Sequence, residues 1–325
     1  MVSSADVASH AGVSRSTVSQ ILNGHEERFV ADTVARVRES ASTLGYRPST
    51  AGRTLRRGTS DIVITLVPDM AFSRYFRDLV GELTRRLAGY GYTNLLRLAS
   101  SGALLEDAVL SLRPFCVVAV APLPAEQRSR LTRHRVKLIE PTADSVTATN
   151  VAIGRLQAEH LAKVGYRSLV SALPESLAEA VHVLPRAEAA RAWAGEHGMG
   201  VLPTLSVPFG SPAVVEAVRA LPSGVGVAAY NDDVALAVLG AAIRAGRQVP
   251  DDLGVMGADH SHFTTISMPS LTTVSLDVTG MADEMLRAIL AGSPASPLPD
   301  AGHVAALGFA VVPGESTDRG GARSG

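Results

Sequence analysis

From Asp61 onward the chain repeats one pattern: a short, largely apolar run, then a longer segment whose apolar residues recur at helical spacing. The runs fall at 62–67, 94–98, 116–121, 136–139, 169–173, 205–208, 225–229, 253–257 and 271–276, and the helical segments between them include 75–88, 154–164, 187–197, 214–221, 234–245 and 281–290. A run with no alternating polar face is buried on both sides, which calls for a parallel sheet covered by helices above and below. Nine such runs are many for one sheet of this kind. The expectation is an α/β core of two doubly wound parallel-sheet lobes, with the tail from Gly314 to Gly325, rich in Gly, Ser and Arg, disordered.

The first 45 residues follow a different period. Ser3 and Asp6 have the spacing of a capping box ahead of Val7, Ala8 and Ala11, and Gly12 ends that helix. Ser14 caps a second helix over 15–22, with Val18, Ile21 and Leu22 inward and Asn23-Gly24 stopping it. A third, over 32–44, places Val34, Val37, Ala41 and Leu44 on one face before Gly45. These three helices close one small apolar centre.

The chain has 325 residues and a net charge of −1, but the charge is unevenly spread. Residues 1–58 hold eight Arg against five acidic residues, while the remainder holds 22 basic against 26 acidic. Residues 47–58 carry four arginines and no acid, a concentration that attracts a polyanion, although charge alone also fits a solvated linker. The longest apolar run, Phe115 to Pro122, is under half of the roughly 20 residues that span a bilayer, so no membrane partner is expected. The opening Met1 to Asp6 has neither a basic nor an apolar signal region, which leads to an expected cytoplasmic location. The single Cys116 excludes an intramolecular disulfide and is expected to be an inert buried thiol.

A helix, a tight turn and a second helix capped by Ser14 is a geometry that lays the second helix in the DNA major groove. Arg15, Ser16 and Gln20 then face outward: Arg15 can fork onto guanine, and Gln20 can pair with adenine through both its donor and its acceptor. Ser3, Ser14, Thr17 and Ser19 suit phosphate oxygens. The same spacing also fits an ordinary helical hairpin with a polar surface.

The residues that carry the DNA geometry also resemble the lactose-repressor/galactose-repressor (LacI/GalR) family of bacterial transcription regulators. The resemblance lies in Asp6-Val7-Ala8, Ala11-Gly12-Val13-Ser14, Ser16-Thr17-Val18-Ser19, Leu22-Asn23-Gly24, Leu44-Gly45-Tyr46-Arg47-Pro48 and Arg53-Thr54-Leu55-Arg56-Arg57-Gly58. It implies a helix-turn-helix headpiece over 1–47 in which Arg15, Ser16 and Gln20 read base edges, and Asn23, Arg53 and Arg56 complete the DNA contacts. It implies a hinge over 48–58 that forms a helix on operator DNA, with Leu55 wedged into the minor groove. Two hinges meet at the centre of a pseudo-palindrome, so a homodimer is implied. Ser49 stands where the family usually has Asn and Gly52 where it has Ala; a helical glycine costs roughly 1 kcal/mol, which makes the hinge more dependent on DNA for its order.

The resemblance continues to about residue 313 and implies a periplasmic-binding-protein-like core over 59–325, with a small-molecule effector held between its lobes. By matching positions the effector residues are Ser73, Tyr75, Asn150, Arg186, Asp232 and Asp259. Ligands of open parallel sheets bind beyond the carboxyl ends of strands, where Asp69, Asn231, Asp232 and Asp259 fall. Carboxylates and an arginine suit a polyhydroxyl ligand, a sugar or a related polyol or nucleoside. Two departures stand out: Ser73-Arg74-Tyr75-Phe76 replaces the usual Asn-Pro-Phe-Phe, and Asn150 replaces a common Asp. Aromatic residues make up only 4% of the chain, and Trp193 falls on a helix beyond Arg186.

No cofactor is called for. His260-Ser261-His262 lacks a third metal ligand, and Gly89-Tyr90-Gly91 lacks the remaining spacing of a nucleotide fingerprint. The leading expectation is therefore a ligand-responsive repressor and not an enzyme. The alternatives are a solute-binding protein with a vestigial head, and an α/β enzyme acting on a sugar or nucleotide; against the latter, no nucleophile elbow, phosphate loop or paired acid and base emerges.

Overall fold

The structure, a computed structural model, describes residues 2–22, 25–46, 58–68, 74–99, 107–175, 180–291 and 308–319. The chain divides into two compact units, Met1–Asp61 with Ser111–Phe115, and Ile62–Leu110 with Cys116–Gly325.

Among its described residues the first unit holds three α-helices. Helix α1 (Ser4–Ala11) begins at the expected capping box: the Ser3 backbone N–H and hydroxyl both donate to Asp6, and the Asp6 N–H donates back to the Ser3 hydroxyl. These bonds hold the exposed Asp6 carboxyl below its ordinary value. Gly12 closes α1 in the left-handed region, at φ 66°. Helix α2 (Arg15–Leu22) follows, then a short 3-10 turn (Glu26–Arg28) and α3 (Ala31–Thr43). Val7, Val18, Ile21 and Val37 meet at the centre with Ala8, Ala11 and Ala41, so the predicted inward faces are the observed ones.

The second unit begins with a parallel sheet made of β1 (Ile62–Pro68), β2 (Thr93–Ala99), β3 (Cys116–Ala119) and β4 (Leu138–Ile139), in the order β2-β1-β3-β4. Helices α4 (Arg74–Gly89), α5 (Asp107–Leu110) and α6 (Ala125–Arg133) connect these strands. Leu79, Leu83 and Leu87 form the buried stripe of α4, the four-residue recurrence expected of one helix face.

A second parallel sheet follows helix α7 (Ala143–Lys163). Its elements are β5 (Ser168–Pro174), α8 (Ala180–Glu196), β6 (Gly200–Val201), β7 (Leu205–Val207), α9 (Ala213–Arg219), β8 (Val225–Ala229), α10 (Asp232–Arg244) and β9 (Leu253–Met256). The order is β6-β5-β8-β9, with β7 also paired to β5. Every residue of β8 and β9 is buried, as their unbroken apolar sequence requires. After α11 (Phe263–Ile266) and β10 (Thr273–Ser275), helix α12 (Val278–Leu290) returns to pack on α4 of the first lobe, and β11 (Ala310–Val312) pairs antiparallel with β10. An Arg86–Asp283 ion pair joins α12 to α4. The Lys137 amine donates to the last-turn carbonyls of Ala288 (2.9 Å) and Ile289 (3.1 Å) and to that of Ala291, supplying donors where a helix end leaves its acceptors open. Among the described residues no helix is long and apolar enough to cross a membrane.

The tail departs from expectation. Ser316 and Thr317 are buried, at 0% and 2% exposure. The Val255 N–H donates to the Ser316 carbonyl (3.0 Å), the Ser316 hydroxyl donates to the Val255 carbonyl (2.6 Å), and the Gly314 N–H donates to the Thr272 hydroxyl (2.9 Å). Residues 314–317 thus cover the outer edge of β9. Their small polar composition reads as disorder only if that edge is ignored; an open strand edge offers donors and acceptors that such residues satisfy well. Residues 320–325 lie outside the described residues. The unpredicted strands β6 and β11 span only two and three residues, too few for a periodic signal.

Candidate DNA-binding helix and ligand site

In the first unit, Ser14 caps α2: its hydroxyl oxygen accepts from the Thr17 N–H (3.0 Å) and bonds the Thr17 hydroxyl (2.8 Å). Arg15 and Ser16 are exposed in the first turn, while Thr17, Ser19 and Gln20 are half-buried. The Gln20 amide donates to the Ser16 hydroxyl at 3.2 Å, so the two lie one helical turn apart on one face. Arg28, Arg36 and Arg38 each face a carboxylate, of Glu27, Asp32 and Glu26 respectively. Arg15 forms no ion pair with a described residue, and its free charge sits at the positive end of the α2 dipole, an arrangement suited to an external anion. Ser3 and Ser14 are both engaged as caps. Asn23, Arg53, Leu55 and Arg56 lie outside the described residues, as does the hinge apart from Gly58.

In the second unit the described ligand candidates fall into separate groups: Arg186 with Asn150, Asp232 with Thr273 and Ser261, and Tyr75 with Asp259. Arg186 stands on α8 and is 8% exposed. Its Nε and Nη2 both donate to the Asn150 Oδ1, at 3.1 and 2.7 Å, and Nη1 donates to the Tyr230 carbonyl just past β8. The guanidinium also lies 4.7 Å from the centre of the Tyr230 ring, within reach of a cation–π contact. Asn150 is fixed from its other side, its amide donating to the Val146 carbonyl (2.9 Å).

Asp232 opens α10 after Asn231, whose side chain caps that helix by accepting from the Val234 N–H (3.0 Å). Both Asp232 carboxylate oxygens are engaged by the chain itself. One accepts from the Thr273 hydroxyl (2.6 Å) and the other from the Ser261 N–H (2.5 Å). Burial pushes the carboxyl up to about 6, against the lowering effect of those bonds. Asp232 thereby holds the 257–261 loop, in which Asp259 and His260 adopt left-handed backbone, at φ 98° and 48°. Gly257 is required beside it, because a Cβ there would fall 2.3 Å from the Asp232 Oδ1.

Tyr75, in the first turn of α4, has its phenol raised well above the ordinary value, first by burial and then by the charges of Asp259 and Asp277. Tyr75 on α4 thus feels the charges of Asp259 and Asp277, which follow β9 and β10. Ser73 and Asp69 lie outside the described residues. Trp193 stacks on His197 with ring centres 3.8 Å apart. Cys116 is fully buried, and burial pushes its thiol up to about 12, consistent with an unreactive group.

Three supporting residues escaped the sequence reading. Gln157 is 1% exposed and donates to the carbonyls of Ala229 (2.8 Å) and Gly257 (3.2 Å), tying together the ends of β8 and β9. Gly154 lets α8 approach α7 so closely that a Cβ would lie 2.1 Å from the Arg186 carbonyl oxygen. Tyr230 receives Arg186 through both ring and carbonyl. The signal for Gln157 was visible: a polar residue in phase with Ile153, Gly154, Ala158 and Leu161 on the buried face of one helix.

Comparison with known proteins gives the two units separate matches. Residues 5–49 match the family model for bacterial regulatory proteins of the lacI family, and residues 158–317 match that for a periplasmic binding protein-like domain. The chain is 28% identical to the ribose operon repressor of Halalkalibacterium halodurans, over 83% of each protein. It is 26% identical to the transcriptional regulator CelR of Thermobifida fusca, over 87% of this chain and 89% of the relative. Among solved structures it resembles the lac repressor dimer bound to operator and the anti-inducer ONPF, with a TM-score of 0.76 at 19% identity over 97% of this chain and 99% of that one. Because the headpiece match covers the capped helix pair and the second match covers the candidate residues from Arg186 to Asp259, in the order and spacing of a full-length regulator, the chain belongs to the lacI family of bacterial regulatory proteins, DNA-binding regulators of transcription.

Proposed function

We propose that the protein is a cytoplasmic repressor that binds a pseudo-palindromic operator as a homodimer and responds to a small polyhydroxyl ligand held between the two lobes of its core. The observation that carries this reading is α2: its apolar face is fixed by α1 and α3, while its capped N-terminus presents Arg15, unpaired among the described residues. In the major groove Arg15, Ser16 and Gln20 meet base edges, and the N-terminal N–H groups of α2 meet phosphate. Residues 1–47 form the headpiece, 48–58 the hinge that carries Arg53, Leu55 and Arg56, and 59–325 the core.

One such helix spans only a few base pairs, so specificity requires two half-sites and two copies of the chain. An apolar face on the second lobe supports the pairing: Phe263, Ile266 and Met268 are 56%, 74% and 81% exposed, and Phe263 lines a groove with Phe209 and Leu236. Exposed apolar side chains clustered in this way mark interaction surfaces. In the core, Asn150 and Arg186 on one lobe and Tyr75 on the other offer donors and acceptors to hydroxyl groups, and Asp259 adds a charge felt at Tyr75. Asp232 acts through the loop it holds. The ligand shifts DNA binding only by the difference in its affinity for the two arrangements of the lobes. The names of relatives, a ribose operon repressor and a CelR structure with cellobiose, support a sugar-like ligand.

Selection from a pool of random-sequence duplexes tests the reading. The expected product is a site of two inverted half-sites, bound about a thousandfold or more tighter than unrelated duplex. Recovery of no enriched sequence would contradict it.

A further inference from the structure

Among the described residues the buried Arg186 guanidinium has no paired carboxylate. At 8% exposure it is largely removed from water, and an arginine stays protonated in any such setting. Its partners are the Asn150 amide oxygen, the Tyr230 carbonyl and the Tyr230 ring. All three are neutral dipoles. No described carboxylate forms an ion pair with it, although described arginines elsewhere in the core, Arg74, Arg86, Arg128, Arg219 and Arg247 among them, each have one. Asp232, two residues beyond Tyr230, is committed to Thr273 and Ser261 instead. Burial of an ion without an opposite charge is costly, and chains normally relieve it with a paired acid. The guanidinium has five N–H donors, and three are used here. One remains on Nη1 and one on Nη2, two donors that can serve the oxygens of one acidic group.

We infer that the ligand of this site carries an anionic group, a phosphate or a carboxylate, that bonds the remaining Nη1 and Nη2 donors of Arg186. The inference rests on the ligand site proposed above and narrows its ligand from a neutral polyol to an acidic one. Asn150 is then the element of selectivity. It orients the guanidinium without neutralising it, whereas an aspartate at this position would cancel the charge that attracts the ligand and would repel the ligand's acid.

Thermal unfolding of the full chain tests this with inorganic phosphate, gluconate, glucose 6-phosphate and glucose as probes, each against sodium chloride at equal ionic strength. Wild type is expected to melt higher in at least one of the acidic probes than in chloride, and glucose is expected to give the smaller response. The two acidic sugars separate a carboxylate from a phosphate preference. Both Arg186→Gln and Asn150→Asp are expected to lose this response, with affinity for the acidic probe down about tenfold or more. Asn150→Asp without ligand is expected to melt above wild type, which also shows that the variant folds. A wild-type response to every acidic probe equal to that in chloride, or equal responses of wild type and Arg186→Gln to the acidic probes, overturns the inference. If glucose binds and loses affinity in Arg186→Gln while no anion does, the ligand site stands and its anionic character falls. If no probe's response depends on Arg186, both fall.

Discussion

At the scale of single residues, the second lobe is built around buried polar groups that satisfy one another, and Asp232 is the one whose ionisation reports on the arrangement. Its folded-state carboxyl titrates at about 6 against an ordinary 3.8, so the folded protein binds this proton more tightly than the unfolded chain does. Its contribution to stability is fully present below pH 3.8 and is lost as pH rises through about 6. A difference of that size corresponds to roughly 3 kcal/mol at most. Asp232→Asn keeps both hydrogen bonds, with its oxygen accepting from the Ser261 N–H and its amide donating to the Thr273 hydroxyl. The variant is expected to be at least as stable as wild type at pH 7.5, and to lack the wild type's gain between about pH 6 and 4. Urea unfolding at several pH values measures this; identical pH profiles for the two proteins would show that Asp232 does not titrate as described.

At the scale of elements, the close pair α7 and α8 sets where Arg186 stands, and a glycine sets how close they come. A Cβ on Gly154 would lie 2.1 Å from the Arg186 carbonyl oxygen and 3.0 Å from its carbonyl carbon, and neither backbone atom can yield without moving α8. Helix propensity favours Gly154→Ala by about 1 kcal/mol, but the overpacking costs about 1–3 kcal/mol, so a net loss of stability is expected. Gly81 on α4 supplies the contrast, since nothing lies within 4 Å of a Cβ there. Gly81→Ala is expected to stabilise by up to about 1 kcal/mol. Thermal unfolding of both variants decides, and stabilisation by both would mean the helices are less tightly packed than described. Periodicity could not reveal such a contact. It placed α1, α2 and α3 and every strand of four or more residues, because those elements bury faces that repeat along the chain. It also placed Asp232 and Asp259 near strand ends, whereas Arg186, inside a helix, was reached only through the family resemblance. It missed Gly154 and Gln157, whose role depends on which helix lies opposite, and it misread residues 314–317, whose partner is an edge strand some sixty residues earlier in the chain.

At the scale of the whole molecule, the two units divide the chemistry: a small helical unit that offers Arg15, unpaired among the described residues, and a larger unit whose α8 holds a buried Arg186. The central claim is that α2 reads DNA through the face that carries Arg15, Ser16 and Gln20. On the site recovered by selection, Arg15→Ala and Gln20→Ala are each expected to weaken specific binding by about 1–3 kcal/mol and to relax preference at one base pair in each half-site, at guanine for Arg15 and at adenine for Gln20. Binding to unrelated duplex should change far less, because it rests on phosphate contacts. Arg15 is exposed and Gln20 half-buried, and the apolar contacts that fix α2 involve neither, so both variants should fold. The most direct measurement is therefore a quantitative footprint of wild type, Arg15→Ala and Gln20→Ala on that site and on its single-base variants at fixed salt. The account predicts a loss of affinity confined to the cognate sequence, with base preference relaxed at the matching positions. Three superimposable binding curves and unchanged base preferences would contradict it.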